Sequence, residues 1–118
     1  MALTIYHNPR CSKSRKTLEI IRDAGVEPTI ILYLQCAPAA AEILDIAGKL
    51  HMPVASLLRR GESEFKEATD MPDLGKDAAV AAWIEAHPGV LQRPIVVDDT
   101  SGKAVIGRPP ENVQDLLR

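Results

Sequence analysis

The chain has 118 residues, of which 46% are hydrophobic and 25% are charged, which fits one compact domain with a core of its own. Its formal net charge of −2 excludes the global basic field that is typical of nucleic-acid-binding proteins. No segment approaches the roughly 18 apolar residues that span a membrane, and the N-terminus lacks a signal-peptide pattern. We therefore expect neither a nucleic-acid nor a membrane partner.

The cysteines and histidines indicate neither a disulfide framework nor a metal site. Cys11 and Cys36 follow no metal-ligand spacing, as is typical of a protein that is kept reduced in the cytoplasm. His7, His51 and His87 are scattered along the sequence, which argues against zinc. We expect a cytoplasmic protein with no bound metal or cofactor.

The first predicted elements place a cysteine at the start of a helix. Leu3–Tyr6 is a short β-prone run, and Asn8-Pro9 is a turn signal. Helical spacing then covers Ser12–Ala24, and Gly25 is a typical helix stop. Cys11 is therefore predicted at the helix N-terminus.

The middle of the chain reads as a strand followed by helices. Pro28–Leu34 is a nearly continuous apolar run, which suits a strand buried on both faces of a sheet. With the first strand and helix it forms a βαβ unit, for which a right-handed crossover is expected. A helix from Pro38, a short helical piece over Pro53–Gly61 and a helix over Asp77–Ala86 form a helical insertion at about residues 38–90.

Two late strands and a final helix complete the pattern. Pro94–Val97 and Lys103–Ile106 flank Asp98–Gly102, which reads as a hairpin turn, and Pro109 opens the last helix. The order is β-α-β, the helical insertion, then β-β-α. This order predicts a single α/β domain over residues 1–118.

The segment around Cys11 points to thiol chemistry. Free backbone N–H groups and the macrodipole at a helix N-terminus lower a thiol pKa and attract anions. The dipole disfavours cations there, yet four basic residues surround the cysteine: Arg10, Lys13, Arg15 and Lys16. The structural alternative is that the cysteine is a small buried residue and that the basic turn is a solvated face.

The spacing around this cysteine argues against two related chemistries. A phosphatase-type loop needs an arginine where this chain has Thr17, and Arg15 comes too early. A C-x-x-C dithiol is absent because Ser14 takes the second position, so an oxidised Cys11 needs a thiol from elsewhere. The Ser14 hydroxyl is expected to donate to the thiolate, to satisfy first-turn backbone groups, or both. His7 is expected either to tune the thiolate or to hold the turn.

The segment His7–Arg15 resembles the active-site segment of the glutaredoxin-coupled arsenate reductase family. Further matching stretches follow in order and cover nearly the whole chain: Glu27–Ile31, Leu57–Arg59, Arg93–Val97 and Gly107–Pro109. The resemblance implies a thioredoxin-like (glutaredoxin-like) three-layer fold with a helical insertion.

The resemblance also implies an oxyanion site. Arg59, Arg93 and Arg108 match the arginines that bind the oxyanion in the family, and a guanidinium offers a planar fork to two oxygens. We expect all three to converge on the cysteine, with Arg15 as a further candidate for substrate binding. A cis peptide before Pro94 would match the cis-proline of this fold.

The activity implied by the resemblance is reduction of arsenate to arsenite. The cysteine forms an adduct with arsenate, glutathione displaces arsenite, and glutaredoxin resolves the resulting mixed disulfide. The chain resembles a short subgroup of the family, which leaves a second interpretation open, namely that arsenate is one accepted anion rather than the selected one. The alternatives are a glutathione- or thioredoxin-linked thiol oxidoreductase, and a redox-sensing regulator that binds RNA polymerase; the missing C-x-x-C argues against the regulator.

Cys36 follows the second predicted strand as Cys11 follows the first. Parallel strands of a βαβ unit end at the same edge of the sheet, so the two thiols are predicted to be neighbours. Two roles are open for Cys36: internal resolution of an oxidised Cys11, or a passive loop thiol.

Overall fold

The computed structural model describes residues 1–117. The chain divides into two compact units. The first comprises Met1–Tyr33 and the chain from Arg93 onward, and the second comprises Leu34–Gln92, which overlaps the predicted helical insertion. No helix in residues 1–117 is long and apolar enough to cross a membrane.

The helices and strands follow the predicted order. They are β1 (Leu3–His7), α1 (Ser12–Asp23), β2 (Thr29–Leu32), α2 (Ala40–Leu50), α3 (Ser63–Lys66), α4 (Asp77–Ala86), β3 (Ile95–Asp98), β4 (Ala104–Ile106) and α5 (Gln114–Leu117). Short 3₁₀ turns lie at Val54–Leu57, Pro88–Val90 and Pro110–Val113.

The first unit is built on a four-stranded mixed sheet in the order β2-β1-β3-β4. β1 and β2 are parallel, whereas β3 is antiparallel to both β1 and β4. This arrangement confirms the predicted β-α-β and β-β-α halves. It also brings the ends of β1 and β4 and the start of β3 to one edge of the sheet.

α1 packs its apolar stripe on this sheet and on the C-terminal segment. The buried cluster that they share consists of Leu3, Ile5, Leu18, Ile21, Val96, Val113 and Leu116. Gly25, with φ of 83°, ends α1. The N–H of Gly25 donates to the Arg22 carbonyl (2.9 Å) and that of Val26 to the Ile21 carbonyl (3.3 Å), which is a Schellman motif. The predicted helix stop is therefore confirmed.

β2 is an edge strand, so the prediction of a strand buried on both faces is wrong. Thr29 and Ile30 are exposed, and Ile30 keeps 36% of its surface accessible. Ile31 and Leu32 are only half-buried, and Tyr33, directly after the strand, is fully buried. The apolar run therefore covers one partly exposed strand and the buried residue that follows it.

The second unit is helical. α2 packs against α4, and α4 has the predicted bounds with Val80, Trp83 and Ile84 buried, as expected. α2 begins at Ala40 rather than at Pro38. The pattern did not predict α3.

Candidate active site

Cys11 is the N-cap residue of α1, as predicted. Its N–H donates to the Asn8 carbonyl (3.0 Å), and its own carbonyl accepts from the N–H of Arg15 (3.0 Å). The first turn of α1 contains no acidic residue. The half-buried thiol therefore lies at the positive end of the helix dipole.

Several N–H donors act on the Cys11 sulfur. Burial acts to raise the pKa of Cys11, but hydrogen bonds from the backbone amides of Ser14 and Lys13 and from the side chains of Arg93 and Arg108 hold that pKa below its ordinary value. Hydrogen bonds to the charged form favour ionisation. The helix N-terminus and two arginines thus stabilise the thiolate together, in the direction expected from the sequence.

Two of the predicted arginines lie at the cysteine. Arg108 Nη1 is 3.9 Å from Cys11 Sγ, and it also donates to the Arg93 carbonyl (3.1 Å). The Arg93–Pro94 peptide bond is cis, in agreement with the resemblance, and Arg108–Pro109 is a second cis bond that the sequence did not predict. The sheet edge thus places both guanidiniums beside one sulfur.

Gly107 allows the end of β4 to approach α1 closely. A Cβ atom at this position would lie 2.5 Å from Thr17 Oγ1 and 2.7 Å from Pro94 Cγ. Thr17 is fully buried, and its hydroxyl donates to the Lys13 carbonyl (2.8 Å). The Gly107 N–H donates to the Pro94 carbonyl (2.9 Å). The residue before Arg108 therefore has to lack a side chain, a requirement that the sequence pattern did not reveal.

The Ser14 hydroxyl connects the end of β1 to α1. It lies 2.7 Å from His7 Nδ1 and accepts from the Asn8 N–H (3.1 Å), and Ser14 is fully buried. Burial, followed by the charges of Arg22 and Arg15, lowers the pKa of His7, which favours the neutral imidazole. The hydroxyl therefore holds the turn with His7. Ser14 acts on the thiolate through its backbone N–H.

The other two candidate arginines are held by nearby groups. Arg15 Nη1 donates to the Pro9 carbonyl (2.8 Å), which braces the turn before α1. Arg59 belongs to the second unit, where its Nε lies 3.8 Å from the Glu62 carboxylate and its N–H donates to the Val90 carbonyl (2.6 Å). Convergence of Arg59 on the cysteine stays a prediction.

Both cysteines are free thiols, and Cys36 is exposed. Its two predicted roles, internal resolution of an oxidised Cys11 and a passive loop thiol, stay predictions. Within residues 1–117, no group of three or more His, Cys, Asp or Glu side chains is arranged to hold a metal ion.

The mixed sheet, the cysteine at the start of the first helix and the two arginines beside it define a thioredoxin-like monothiol protein. Residues 6–116 match the profile of the ArsC family. The chain belongs to this family.

Individual relatives agree with this assignment. The chain is 42% identical over 115 residues to the uncharacterized protein YfgD of Escherichia coli K12, over 96% of this chain and 94% of the relative. It is 40% identical over 117 residues to the arsenate reductase of Neisseria meningitidis serogroup A, over 98% and 97%. The solved arsenate reductase from Vibrio cholerae superposes with a TM-score of 0.86 at 37% identity, over 98% of this chain and 97% of that chain. These similarities confirm the predicted family and fold, and the two arsenate reductases among these relatives support an oxidoreductase.

Proposed function

We propose that this protein is an arsenate reductase in which Cys11 is the nucleophile. The observation that carries the proposal is the position of the Arg108 guanidinium, 3.9 Å from the Cys11 sulfur at the N-cap of α1. Arg93 and two backbone amides stabilise the same thiolate. Positive groups fixed around a nucleophile suit a tetrahedral oxyanion. The arsenate reductases among the relatives support arsenate as that anion.

Each residue has a distinct role in this proposal. Arg93 and Arg108 bind arsenate oxygens through guanidinium forks. His7 and Ser14 position the loop that carries the cysteine. Arg15 adds local charge while it braces Pro9, and Arg59 is assigned to the anion by the resemblance.

The resemblance implies a reaction in three steps: formation of an adduct, release of arsenite and reduction of a mixed disulfide. The Cys11 thiolate attacks arsenic, and an arsenate oxygen leaves as water after protonation, which gives a sulfur–arsenic(V) bond. A glutathione thiolate then attacks Sγ, and the electron pair of the sulfur–arsenic bond stays on arsenic, which leaves as arsenite. A glutaredoxin thiolate then attacks the glutathione sulfur of the Cys11–glutathione disulfide, and Cys11 leaves as its thiolate. A supply of glutathione and glutaredoxin is typical of the reducing cytoplasm, which supports the proposal that the protein acts there.

A coupled assay tests the proposal. Arsenate, glutathione, glutaredoxin, glutathione reductase and NADPH are mixed with the wild-type protein, with Cys11→Ser or with Cys36→Ser. We expect arsenite formation with the wild type and Cys36→Ser, and none above background with Cys11→Ser. Thioredoxin in place of glutaredoxin identifies the reductant. Absence of arsenite in every wild-type reaction would refute arsenate reduction and favour another thiol substrate.

A further inference from the structure

Tyr33 lies at the same end of the sheet as residues of the candidate site. The parallel pairing of β1 with β2 ends at His7–Leu32, so Asn8 and Tyr33 are the residues that directly follow the paired strands. The antiparallel pairing of β1 with β3 includes Tyr6–Ile95. Arg93 precedes Ile95 by two residues and therefore lies at the same end of the sheet.

Arg108 also lies at this end of the sheet. β3 pairs with β4 at Ile95–Ile106, and two positions further Arg108 stands beside Arg93, whose carbonyl accepts from the Arg108 guanidinium (3.1 Å). Tyr33, Asn8, Arg93 and Arg108 therefore all lie just outside the paired strands, at the end of the sheet where Cys11 begins α1.

The Tyr33 hydroxyl is a buried polar group at this edge. Tyr33 is fully buried, and its oxygen has no hydrogen-bond partner of good geometry among residues 1–117. Burial raises the pKa of Tyr33, with a smaller contribution in the same direction from the Cys11 charge, while Arg93 and Asn8 lower it. The side chains of Asn8 and Arg93 therefore lie near the phenol oxygen, although neither makes a hydrogen bond to it.

We propose that Tyr33 is a further binding residue of this site, whose hydroxyl donates a hydrogen bond to an oxygen of the tetrahedral anion held by Arg93 and Arg108. The inference rests on the proposed function. Arg93 offers only donors, and the Asn8 side-chain oxygen already accepts from the Arg10 N–H (3.0 Å), so the phenol proton is the group that needs an acceptor. An anion oxygen at the Cys11 sulfur meets that need. Because its pKa is raised, the phenol stays protonated and adds a neutral donor to the two cationic forks.

The test compares Tyr33→Phe with Tyr6→Phe, because these are the two tyrosines of the chain and both are buried. The probes are inorganic phosphate, a tetrahedral anion that the protein does not reduce, and arsenate under turnover. For Tyr33→Phe we expect the phosphate Kd and the arsenate KM to rise by about tenfold or more, with no decrease in Tm. Tyr6→Phe should keep both affinities. The ring ζ-carbon resonance of Tyr33 should move on phosphate addition, and that of Tyr6 should not.

The outcomes separate this inference from the proposed function. If the wild type binds phosphate and reduces arsenate but Tyr33→Phe does so equally well, Tyr33 is not a binding residue. The inference would also be overturned if Tyr33→Phe binds phosphate more weakly but has a lower Tm, and if the Tyr33 resonance of the wild type does not move on phosphate addition. This result would show that Tyr33 has a packing role. If the wild-type protein neither binds phosphate nor reduces arsenate, the proposed function itself fails.

Discussion

Arg108 Nη1 lies 3.9 Å from Cys11 Sγ although 97 positions separate the two residues in the sequence. β1 and β4 run in the same direction because each is antiparallel to β3. The residues that follow these two strands therefore meet at one edge of the sheet. In a chain with a net charge of −2, the topology concentrates positive charge at the thiolate.

A pH titration of the Cys11 thiol should show that the helix N-terminus and the two arginines lower its pKa. In a Cys36→Ser background, the ultraviolet absorbance of the thiolate should rise at a pH below that of the same protein unfolded in denaturant. Since the pKa of Cys11 is lowered, the nucleophile is present above that pKa and is lost as the pH falls through it, and activity should fall with it. Arg108→Ala should shift the step to higher pH. Coincident folded and unfolded titrations would contradict the assignment.

Arg93→Lys and Arg108→Lys should each keep the charge but lose the two-oxygen fork. We expect kcat/KM for arsenate to fall by roughly 10- to 100-fold in either variant, the range expected for a lost hydrogen bond to a charged group. Thermal stability should change little. Arg60→Lys is the matched control, since Arg60 is exposed. Wild-type kinetics in Arg93→Lys would remove Arg93 from the site.

Ser14→Ala should lower the free energy of unfolding by about 1–3 kcal/mol, because the buried Asn8 N–H and His7 Nδ1 lose their partner. Denaturant unfolding measures the change, with Ser12→Ala as an exposed control. The thiol pKa of Cys11 should stay nearly the same, since the Ser14 backbone N–H remains. A large rise in that pKa would instead show that the hydroxyl acts on the sulfur.

Gly107→Ala should force its new Cβ against Thr17 and Pro94. We expect a loss of about 1–3 kcal/mol in stability, as for other overpacked sites, together with a higher KM for arsenate because Arg108 is displaced. Gly61→Ala is the control, since a Cβ there would meet nothing within 4 Å. Equal melting temperatures and KM values for the two variants would contradict the close approach.

Arg59→Ala tests the role that only the resemblance assigns to this residue. The partly exposed ion pair with Glu62 is 3.8 Å long and should contribute no more than about 1 kcal/mol to stability. We expect kcat/KM for arsenate to fall by about tenfold or more, whereas Arg60→Ala should retain activity. If both variants turn over arsenate at the wild-type rate, Arg59 takes no part in anion binding.

Elements governed by local signals were predictable from the sequence. The bounds of α4, the end of α1 at Gly25 and the position of Cys11 at a helix start follow from periodicity, backbone freedom and turn residues close in sequence. Arg93 and Arg108 were predicted through the resemblance to a family, and their proximity to Cys11 depends on the strand order β2-β1-β3-β4.

Features that depend on tertiary packing were missed. An apolar run such as Pro28–Leu34 does not reveal whether its strand lies at the centre or the edge of a sheet, and β2 lies at the edge. The close fit around Gly107 and the buried hydroxyl of Tyr33 arise between segments distant in sequence. Their only sequence signals were a glycine before Arg108 and a tyrosine in an apolar run.

The complete burial of Ser14 decides what a second sulfur at this position would do. Ser14→Cys restores the C-x-x-C spacing, but the new thiol would occupy the place where a hydroxyl now meets His7 Nδ1 and the Asn8 N–H. Sulfur is larger and hydrogen-bonds weakly, so the His7 ring and the Asn8 N–H would lose a good hydrogen-bond partner in a fully buried position. A change to dithiol chemistry by this one substitution would therefore lower the stability of the turn that carries Cys11.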